Sequence, residues 1–545
     1  MLYFQRLGFL GGIALGAALL ILLPILMVVA SLAAPSSDTW LHLLRTSLGT
    51  YVANTAALVV LVACGVVSMG VVSAWLVTAY RFPGQRVLEW ALMLPLAMPA
   101  YVMAYAYTDW LQFTGPVQTV LREATGWGAR EYWFPDIRSL PGAAAMLSFA
   151  LYPYVYLLAR TAFLDVSRSA LEAGRLAGLT PWGSFLRVAM PIARPAIVAG
   201  TALALMETLA DYGTVSYFAL EVFTTGIFKA WFSLGDSTAA AQLSALLLVF
   251  VLAVLAIEQA ARSRASYAGG LRKLPPQRLR GRTAALATFA CAMPVVLGFL
   301  LPAGLLLRLV ISDPEFRLGA RLLSLAGNSF TVAALAAAAG VLVATAMAYA
   351  VRLARGRSRQ WIGYFNRAAS LGYAVPGAVI AIGILAPLGR LDNWIAAALE
   401  ATLGVKTGLL LTGTLVALVY AYLVRFLAVA LQTMEAGLAK VTPRMDDAAR
   451  SLGATPAQTL RRVHAPLLAS SLASATLLLF VDVLKELPAT FALRPFNFDT
   501  LAVEAYNLAK DERLSEAAVP SLIIVAVGLV PLLVLTKRYF QATRS

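Results

Sequence analysis

Two stretches of the sequence carry almost the same pattern: residues 172–191, EAGRLAGLTPWGSFLRVAMP, and residues 447–466, DAARSLGATPAQTLRRVHAP. The second copy follows the first at a distance of 275 residues. A polar segment repeated at fixed spacing predicts one structural unit written twice. The matching residues are Glu172 and Asp447, Ala173 and Ala448, Gly178 and Gly453, Pro181 and Pro456, and Pro191 and Pro466.

The rest of the chain has the composition of a membrane protein. Hydrophobic residues make up 60% of it and charged residues 13%, whereas soluble proteins carry about 25% charged residues. About twelve apolar runs are long enough to cross a ~30 Å hydrocarbon core. They are predicted to be helices, because a backbone in lipid must satisfy its own hydrogen bonds. The predicted spans are 7–33, 53–79, 88–112, 142–163, 193–218, 239–258, 284–310, 328–351, 368–388, 408–431, 467–492 and 517–536.

The predicted fold class is therefore an all-α polytopic membrane protein with two parallel repeats of six helices each. A basic linker at 259–282 separates a first half, 1–258, from a second half, 283–545. Six spans in each half make the halves parallel, related by an axis along the membrane normal. The repeated segments lie in loops at about 166–191 and about 435–466.

Other positions keep the register of the repeat. Asn54-Thr55 corresponds to Asn328-Ser329, and Pro99 corresponds to Pro376. The opening span of each half has no such match, so we expect a peripheral helix added to a five-helix core. The first apolar run is much longer than the 7–15-residue core of a signal peptide, so we expect it to remain as a span.

The charges predict how the chain lies in the membrane. The net charge is +16, but the basic residues concentrate in alternate loops, above all in the linker. Acidic residues lie mostly in the other loops. By the positive-inside rule, this pattern places both termini and both repeated segments in the cytoplasm. The basic loops suit anionic membrane lipid rather than nucleic acid.

Each repeated segment predicts two short helices joined at a glycine. Glu172–Leu176 predicts the first helix, and Gly178 ends it by reversing the chain. Thr180 and Pro181 are typical of the cap and first residue of a second helix, and Pro191 is expected to stop that helix before the next span. The second copy repeats this with Gly453, Thr455-Pro456 and Pro466. The result would be a compact knob on the cytoplasmic face.

Acidic residues occur in pairs near the ends of spans five and eleven. Glu207 and Asp211 form one pair, and Asp482 and Glu486 the other, with Lys485 beside it. The i,i+4 spacing predicts that both carboxylates of a pair lie on one helical face. Because a charge within a spanning helix is costly, such residues face a cavity or a partner. A translocation pathway, a structural ion pair with Lys485, and simple hydration at the outer interface all remain open.

The sequence offers little for metal-centred or nucleotide chemistry within the chain itself. Cys64 and Cys291 lie in apolar runs and predict no disulfide or thiolate site. His42 and His464 are too far apart in sequence to predict a histidine cluster. No Gly-x-x-x-x-Gly-Lys-Ser/Thr phosphate loop occurs, so the chain is not expected to hydrolyse ATP.

The repeated segments resemble the EAA loop of ABC importer permeases: Glu-Ala-Ala, a glycine six residues after the glutamate, and a proline nineteen after it. Gly174 replaces the second alanine in the first copy, and Asp447 replaces the glutamate in the second. The resemblance implies the type I permease fold, in the inner membrane of a bacterium. It also implies that the two loops, with Pro181 and Pro456 inside them, are coupling helices for two copies of a cytoplasmic ATPase, which uses ATP and magnesium.

Segments after the acidic pairs are similar to those of ferric-iron permeases: residues 207–215 with 223–227, and 485–490 with 494–502. This resemblance implies transport of iron(III) delivered by an extracytoplasmic iron-binding protein, through a permease that is not an enzyme and binds no cofactor. The residues themselves name no metal ligands. Thiamine, polyamine and phosphonate remain alternative substrates. A secondary transporter driven by an ion gradient, and a membrane scaffold without transport, remain alternative classes.

Overall fold

The computed structural model describes residues 8–35, 37–129, 131–166, 176, 178–263, 277–313, 319–354 and 356–542. Within these ranges the chain is almost entirely helical, and the two strands described there, Tyr80–Arg81 and Gln277–Arg278, pair in parallel. The α-helices are Gly8–Ala30, Asp38–Thr46, Leu48–Ala79, Gln85–Ala91, Ala100–Leu111, Pro116–Thr125, Leu140–Asp165, Pro181–Ser184, Met190–Ala210, Gly213–Tyr217, Phe223–Phe228, Ser237–Ser263, Gly281–Val295, Leu301–Ile311, Ala320–Leu353, Gly356–Ser370, Gly377–Leu403, Leu415–Ala439, Pro443–Ser451, Pro456–Thr459, Ala465–Leu484, Pro488–Leu493, Leu501–Lys510 and Leu514–Ala542. Short 3₁₀ turns occur at Ser31–Ala33, Leu94–Ala97 and Leu371–Ala374, and π-helical turns at Phe185–Ala189, Lys229–Ser233, Val296–Leu300 and Leu460–His464.

The described residues contain 11 helices long and apolar enough to cross a membrane, or up to 12 if one bent pair is a single broken span. This confirms the predicted all-α polytopic fold. The bent pair, Gln85–Ala97 and Ala100–Thr125, turns by 94° and contains the third predicted span. The predicted third span is thus not one straight helix.

Two prolines at matching positions account for the breaks in the third and ninth predicted spans. Pro99 and Pro376 both adopt extended backbone, with ψ of 139° and 142°, immediately before a helix. Proline fixes φ and disfavours helical geometry in the residue before it. The predicted ninth span, 368–388, is therefore corrected: the membrane-length helix begins at Gly377 and continues to Leu403.

One compact unit consists of Met1–Ser36, Gly235–Ala245 and Leu318–Val503. Its centre is formed by the mutually packed helices Ala320–Leu353, Leu415–Ala439 and Ala465–Leu484. The opening helix of the chain also packs into this unit. A side chain at Gly383 would lie 2.3 Å from the carbonyl oxygen of Pro24, so the two helices touch through their backbones. The opening helix thus packs on one side against helices of the second repeat, and much of it remains exposed.

The other compact unit consists of Ser37–Leu234, Leu246–Arg317 and Glu504–Ser545. Helices Leu48–Ala79, Leu140–Asp165 and Met190–Ala210 form its centre. Gly200 makes close packing possible here, because a Cβ atom would lie 2.7 Å from the Cα atom of Val155. Each unit takes helices from both sides of the linker, so packing does not follow the predicted halves 1–258 and 283–545, which remain a prediction about the repeat.

Candidate functional site

The first repeated loop is described only in part. Glu172 and Ala173 lie outside the described residues. Gly178 has a φ of +80°, which is the left-handed conformation expected of a glycine that reverses the chain. The hydroxyl of Thr180 accepts a hydrogen bond from the backbone N–H of Gly183 at 3.1 Å. This bond confirms the predicted cap at the start of the helix Pro181–Ser184.

The second repeated loop is described throughout. Asp447 and Ala448 are exposed on the helix Pro443–Ser451. Gly453 follows with a φ of +77°. Thr455 and Gln458 then cap the helix that begins at Pro456: the N–H of Thr455 donates to the Gln458 side chain at 2.9 Å, and the N–H of Gln458 donates to the Thr455 hydroxyl at 3.3 Å. The two short helices joined at a glycine are thus present here.

The structure corrects the role predicted for the last proline of each loop. Pro191 and Pro466 do not stop a helix, because helical backbone runs without a break through Trp182–Ala210 and Arg461–Leu484. A π-helical turn comes just before each proline, at Phe185–Ala189 and at Leu460–His464. In the first, the N–H of Met190 bonds the carbonyl of Phe185. The wider turn shifts the hydrogen-bond pattern, so that the missing N–H of the proline does not break the helix. Each loop therefore runs directly into a membrane helix.

Both loops expose a leucine within two residues of the left-handed glycine. Leu176 is 90% exposed and Leu452 is 88% exposed. A Cβ atom at Gly178 or at Gly453 would meet no atom within 4 Å. The two tips are therefore open, each with an exposed leucine close to the turn.

An ion triad holds the second loop to its unit. The Asp446 carboxylate accepts hydrogen bonds from Arg352 Nη2 at 2.7 Å and from His464 Nε2 at 2.5 Å. Arg352 also donates to the carbonyl oxygen of Val441 at 2.8 Å. Desolvation alone would raise the pKa of Asp446, but the bonds from His464 and Arg352 outweigh it and lower the pKa. At the same spacing the first repeat has Ala189 in place of His464.

The two acidic pairs are arranged differently from the sequence prediction. The helices end at Ala210 and at Leu484, so Asp211 and Glu486 lie beyond the helices that carry Glu207 and Asp482. The predicted single helical face for each pair is therefore wrong. The physical reason is that Asp211 and Glu486 each cap the next short helix instead of continuing their own.

The caps are equivalent in the two repeats. Asp211 accepts bonds from the N–H groups of Thr214 and Val215, at 3.0 and 3.2 Å, and from the Thr214 hydroxyl at 3.0 Å. Glu486 accepts bonds from the N–H groups of Ala489 and Thr490, both at 2.9 Å, and from the Thr490 hydroxyl at 2.6 Å. Each carboxylate thus caps the first of two consecutive short helices. We call these two helix pairs the first hairpin (residues 213–228) and the second hairpin (residues 488–510).

The paired asparagines hold these hairpins to the membrane helices. Asn54 donates to the carbonyl oxygen of Glu221 at 2.9 Å, and Asn328 donates to the carbonyl oxygen of Asp499 at 3.0 Å. The neighbouring Ser329 hydroxyl accepts the N–H of Leu501 at 2.7 Å. The repeat predicted from Asn54 and Asn328 is therefore present as matching contacts.

A cation that the sequence analysis missed lies beside the second cap. Arg425 Nη1 lies 3.3 Å from Glu486 Oε1, and the two side chains are 8% and 1% exposed. Gly377 leaves the space for this pair, because a Cβ atom there would lie 2.5 Å from Arg425 Nη1. The signal was a basic residue inside the predicted span 408–431. The first repeat has Ala150 at the position of Arg425.

The other members of the acidic pairs are half-buried. Lys485 Nζ lies 2.9 Å from Asp482 Oδ1, which is the structural ion pair that the sequence left open. Glu207 is half-buried on the helix Met190–Ala210. Within the described part of the chain, no group of three His, Cys, Asp or Glu side chains could hold a metal ion.

Comparison with known proteins identifies the family. The family model for the binding-protein-dependent transport system inner membrane component matches residues 66–265 and again residues 340–544. The chain is 25% identical to the Fe(3+)-transport system permease protein FbpB 2 of Haemophilus influenzae over 92% of both proteins.

Shorter matches link the chain to permeases with other printed substrates. It is 28% identical to the sulfate transport system permease protein CysT of Escherichia coli over 28% of this chain and 51% of that protein. It is 29% identical to the molybdenum transport system permease protein ModB of Escherichia coli over 28% of this chain and 64% of that protein. Because the family model covers most of the chain and occurs twice, the chain belongs to the binding-protein-dependent transport system inner membrane components and is a multi-pass, ABC-type permease subunit.

Proposed function

We propose that this chain is the fused permease subunit of an ATP-driven importer of iron(III). The observation that carries the proposal is the extent of the match to the ferric-iron permease, which covers 92% of both chains. The sulfate and molybdenum permeases match only 28% of this chain. An extracytoplasmic iron-binding protein would deliver the ion. ATP and magnesium would act on the partner ATPase, and the chain would need no cofactor of its own.

Two copies of the ATPase would dock on the two repeated loops, one on each. The exposed leucines, Leu176 and Leu452, support this proposal because each places an apolar side chain at an open turn. The basic linker supports a cytoplasmic position for both loops, and with it cytoplasmic N- and C-termini. Glu172, Ala173, Asp447 and Ala448 would then belong to the surface that the ATPase contacts.

Movement would pass from each loop along one helix to a hairpin. The loop runs through its π-helical turn into a membrane helix, and that helix ends at the carboxylate that caps the hairpin. ATP-driven closure of the ATPase pair would thereby move the hairpins and alternate the access of the pathway. In this mechanism Asp211 and Glu486 act as positioning residues, because their oxygens already accept bonds within the hairpins.

Glu207, Asp482 and Lys485 are the proposed side chains of the pathway itself. Acidic residues outnumber basic ones near the two helix ends, which suits a hard cation rather than an oxyanion. Direct contact with iron is not needed for this role, since negative charge alone raises the local concentration of a cation.

Uptake of radioactive iron(III) tests the proposal. The chain, its ATPase and the binding protein encoded beside it would be expressed together in cells that lack their own iron(III) uptake. Iron uptake is expected above that of cells without the chain, and a phosphate-loop lysine substitution in the ATPase should abolish it. Absence of iron uptake in a complex that assembles and hydrolyses ATP would contradict the proposal.

Sulfate and molybdate are the second candidates, because permeases with those printed substrates match about 150 residues of this chain. The same cells would therefore be given labelled sulfate and molybdate in parallel. Uptake of an oxyanion without uptake of iron would show that the substrate is that oxyanion rather than iron(III). The assignment of the chain as a permease would still stand.

A further inference from the structure

The second hairpin contains an insertion that the first hairpin lacks. Asp211 and Glu486 lie 275 positions apart, but Glu221 and Asp499, whose carbonyl oxygens accept the equivalent asparagine bonds, lie 278 positions apart. The second hairpin is therefore three residues longer between these points. One additional residue lengthens the helix Pro488–Leu493, and two fall in the connection between that helix and Leu501–Lys510.

The longer hairpin leaves one aromatic ring exposed. Phe496 is 93% exposed, more than any other large hydrophobic side chain among the described residues. The corresponding turn of the first hairpin has no such residue: Phe218 and Val222 are each only 3% exposed, and Ala219 occupies the tip. The exposed ring is thus a feature of the second repeat alone.

The loop that carries Phe496 is braced. Arg494 Nε lies 2.8 Å from Asp499 Oδ1, and Arg494 Nη1 donates to the carbonyl oxygen of Phe491 at 2.8 Å. The N–H of Phe498 donates to the carbonyl oxygen of Pro495 at 3.1 Å, and Asn497 turns the chain with a φ of +59°. A loop held in this way gives up little conformational entropy when a partner binds it.

The base of the loop is enclosed by protein on both sides. Ala489 and Thr490 before it are each 1% exposed, and Leu501, Ala502 and Val503 after it are 0% exposed. A residue that anchors a protein in the lipid interface lies on the outer surface of a bundle. The Phe496 loop instead emerges from the buried end of its unit, which favours a protein partner over lipid.

The loop also lies at the far end of the membrane helix from the second repeated loop. The helix Ala465–Leu484 has 20 residues, which at about 1.5 Å per residue spans the hydrocarbon core. If the ATPase contacts the repeated loop, as proposed above, then Phe496 faces the opposite aqueous side. The family to which the chain belongs depends on a binding protein, and that protein acts on this side.

We propose that Phe496, presented by the braced loop 494–499, is an anchor that inserts into an apolar pocket on the extracytoplasmic binding protein. A buried aromatic anchor is the usual form of a binding hot spot. Because only the second hairpin carries the anchor, the binding protein docks in a single orientation. This inference rests on the proposed function.

The test uses the whole complex of this chain and its ATPase in proteoliposomes. ATP hydrolysis is measured against increasing concentrations of the iron(III)-loaded binding protein that stimulates the wild-type complex. Phe496→Ala is expected to raise the half-maximal concentration about tenfold, in line with the loss of an aromatic hot spot, while basal hydrolysis stays unchanged. Arg494→Met, which removes the brace and keeps the ring, is expected to give a smaller rise.

The matched control is Phe289→Ala, which removes a ring that is 62% exposed on the membrane helix Gly281–Val295. It should leave the half-maximal concentration at the wild-type value. An unchanged value for Phe496→Ala would overturn the inference and leave the proposed function standing. If no binding protein stimulated the wild-type complex, the proposed function would be wrong and the inference would fall with it.

A fluorescence experiment distinguishes whether Phe496 contacts a protein partner or lipid. Cys64 and Cys291 would be replaced first, and Phe496→Cys labelled with an environment-sensitive dye. The dye is expected to be open to iodide in liposomes and protected once the loaded binding protein is added. Quenching by a lipid-borne quencher in the absence of that protein would assign Phe496 to the membrane and overturn the inference.

Discussion

The same hydrogen-bond geometry caps the first and second hairpins, but the residues beside the two capping carboxylates differ in charge. Asp211 and Glu486 each accept three bonds from the helix that follows. Arg425 lies beside Glu486, and its position in the first repeat is occupied by Ala150. The repeat therefore preserves the backbone contacts, whereas buried charge is arranged separately in each half.

A substitution that affects both repeats alike should have the largest effect. Valine in place of Gly178 and Gly453 forces a β-branched residue into left-handed backbone, at a cost of about 1–2 kcal/mol for each turn. Open space surrounds both glycines, so the valine side chains would not clash and the strain would lie in the backbone. The exposed turn is expected to relieve this strain by changing its conformation. Iron uptake by G178V/G453V should fall to background with normal amounts of protein in the membrane.

Gly404→Val is the control for that double variant. Gly404 has a φ of +66° and equally open surroundings, but it follows the helix Gly377–Leu403 and belongs to neither repeated loop. Uptake near the wild-type rate is expected for this variant. Normal uptake by G178V/G453V would show that the loop geometry is not needed for coupling.

The next largest effect should separate the two repeats. Removing Arg425 as Arg425→Met leaves Glu486 buried without this partner, which typically costs about 3–5 kcal/mol. Asp211→Asn keeps a good helix-capping residue and should cost about 1 kcal/mol. Thermal unfolding of the purified protein in detergent should therefore show a much larger loss for R425M than for D211N.

The double variant R425M/E486Q should recover much of the stability lost in R425M, because it removes the uncompensated charge. Equal losses for R425M and D211N, or no recovery in the double variant, would mean that the charge difference between the hairpins has no energetic weight.

Asp446 and Asp447 are adjacent in the second loop, but we expect the first to affect mainly stability and the second mainly coupling to the ATPase. Asp446→Asn weakens the bonds to Arg352 and His464 and should cost about 2 kcal/mol in thermal unfolding at pH 7. The pKa of Asp446 is lowered from its ordinary value of 3.8, so its contribution is fully present above that pH and is lost only as the pH falls through the lower, folded value. Asp447 is exposed, so Asp447→Asn should lower the melting temperature less than Asp446→Asn and should reduce ATPase-coupled uptake. The same effect of both substitutions on stability would contradict the assignment.

The smallest effects should be equal in the two repeats. Asn54→Ala and Asn328→Ala each remove one bond to a hairpin carbonyl, at 2.9 and 3.0 Å, and each should cost about 1 kcal/mol. Thermal unfolding of the two single variants and of the double variant measures this, and the two costs should add. Unequal losses of stability would show that the two contacts are not energetically equivalent.

The sequence predicts local features well here because their causes are local. Gly178 and Gly453 reverse the chain, and Thr180 and Thr455 cap helices, since turn and cap geometry depends on a few adjacent residues. The pairing of Asn54 with Asn328 could also be predicted, because the repeat preserves its register. The number and type of spans follow from hydropathy alone.

Other features depend on packing between distant parts of the chain. Arg425 is visible as a charge in an apolar run, but its pairing with Glu486 arises only when two helices meet. The end of the helix at Ala210 depends on competition between capping and helix continuation at Asp211. The opening helix, Gly8–Ala30, carries no polar residues that match the repeat, so its packing against the second repeat's core left no trace in the sequence.

The π-helical turns before Pro191 and Pro466 have a mechanical consequence. A π turn contains one residue more than an α turn, and in a helix each residue accounts for about 100° of rotation and 1.5 Å of length. Because proline offers no N–H to restore the ordinary ladder, that extra residue stays at the junction. The two junctions therefore lie at the same distance in sequence from their glycines, Gly178 and Gly453. In the proposed mechanism, the two loops would pass the movement of the ATPase pair to the two hairpins through junctions of the same geometry.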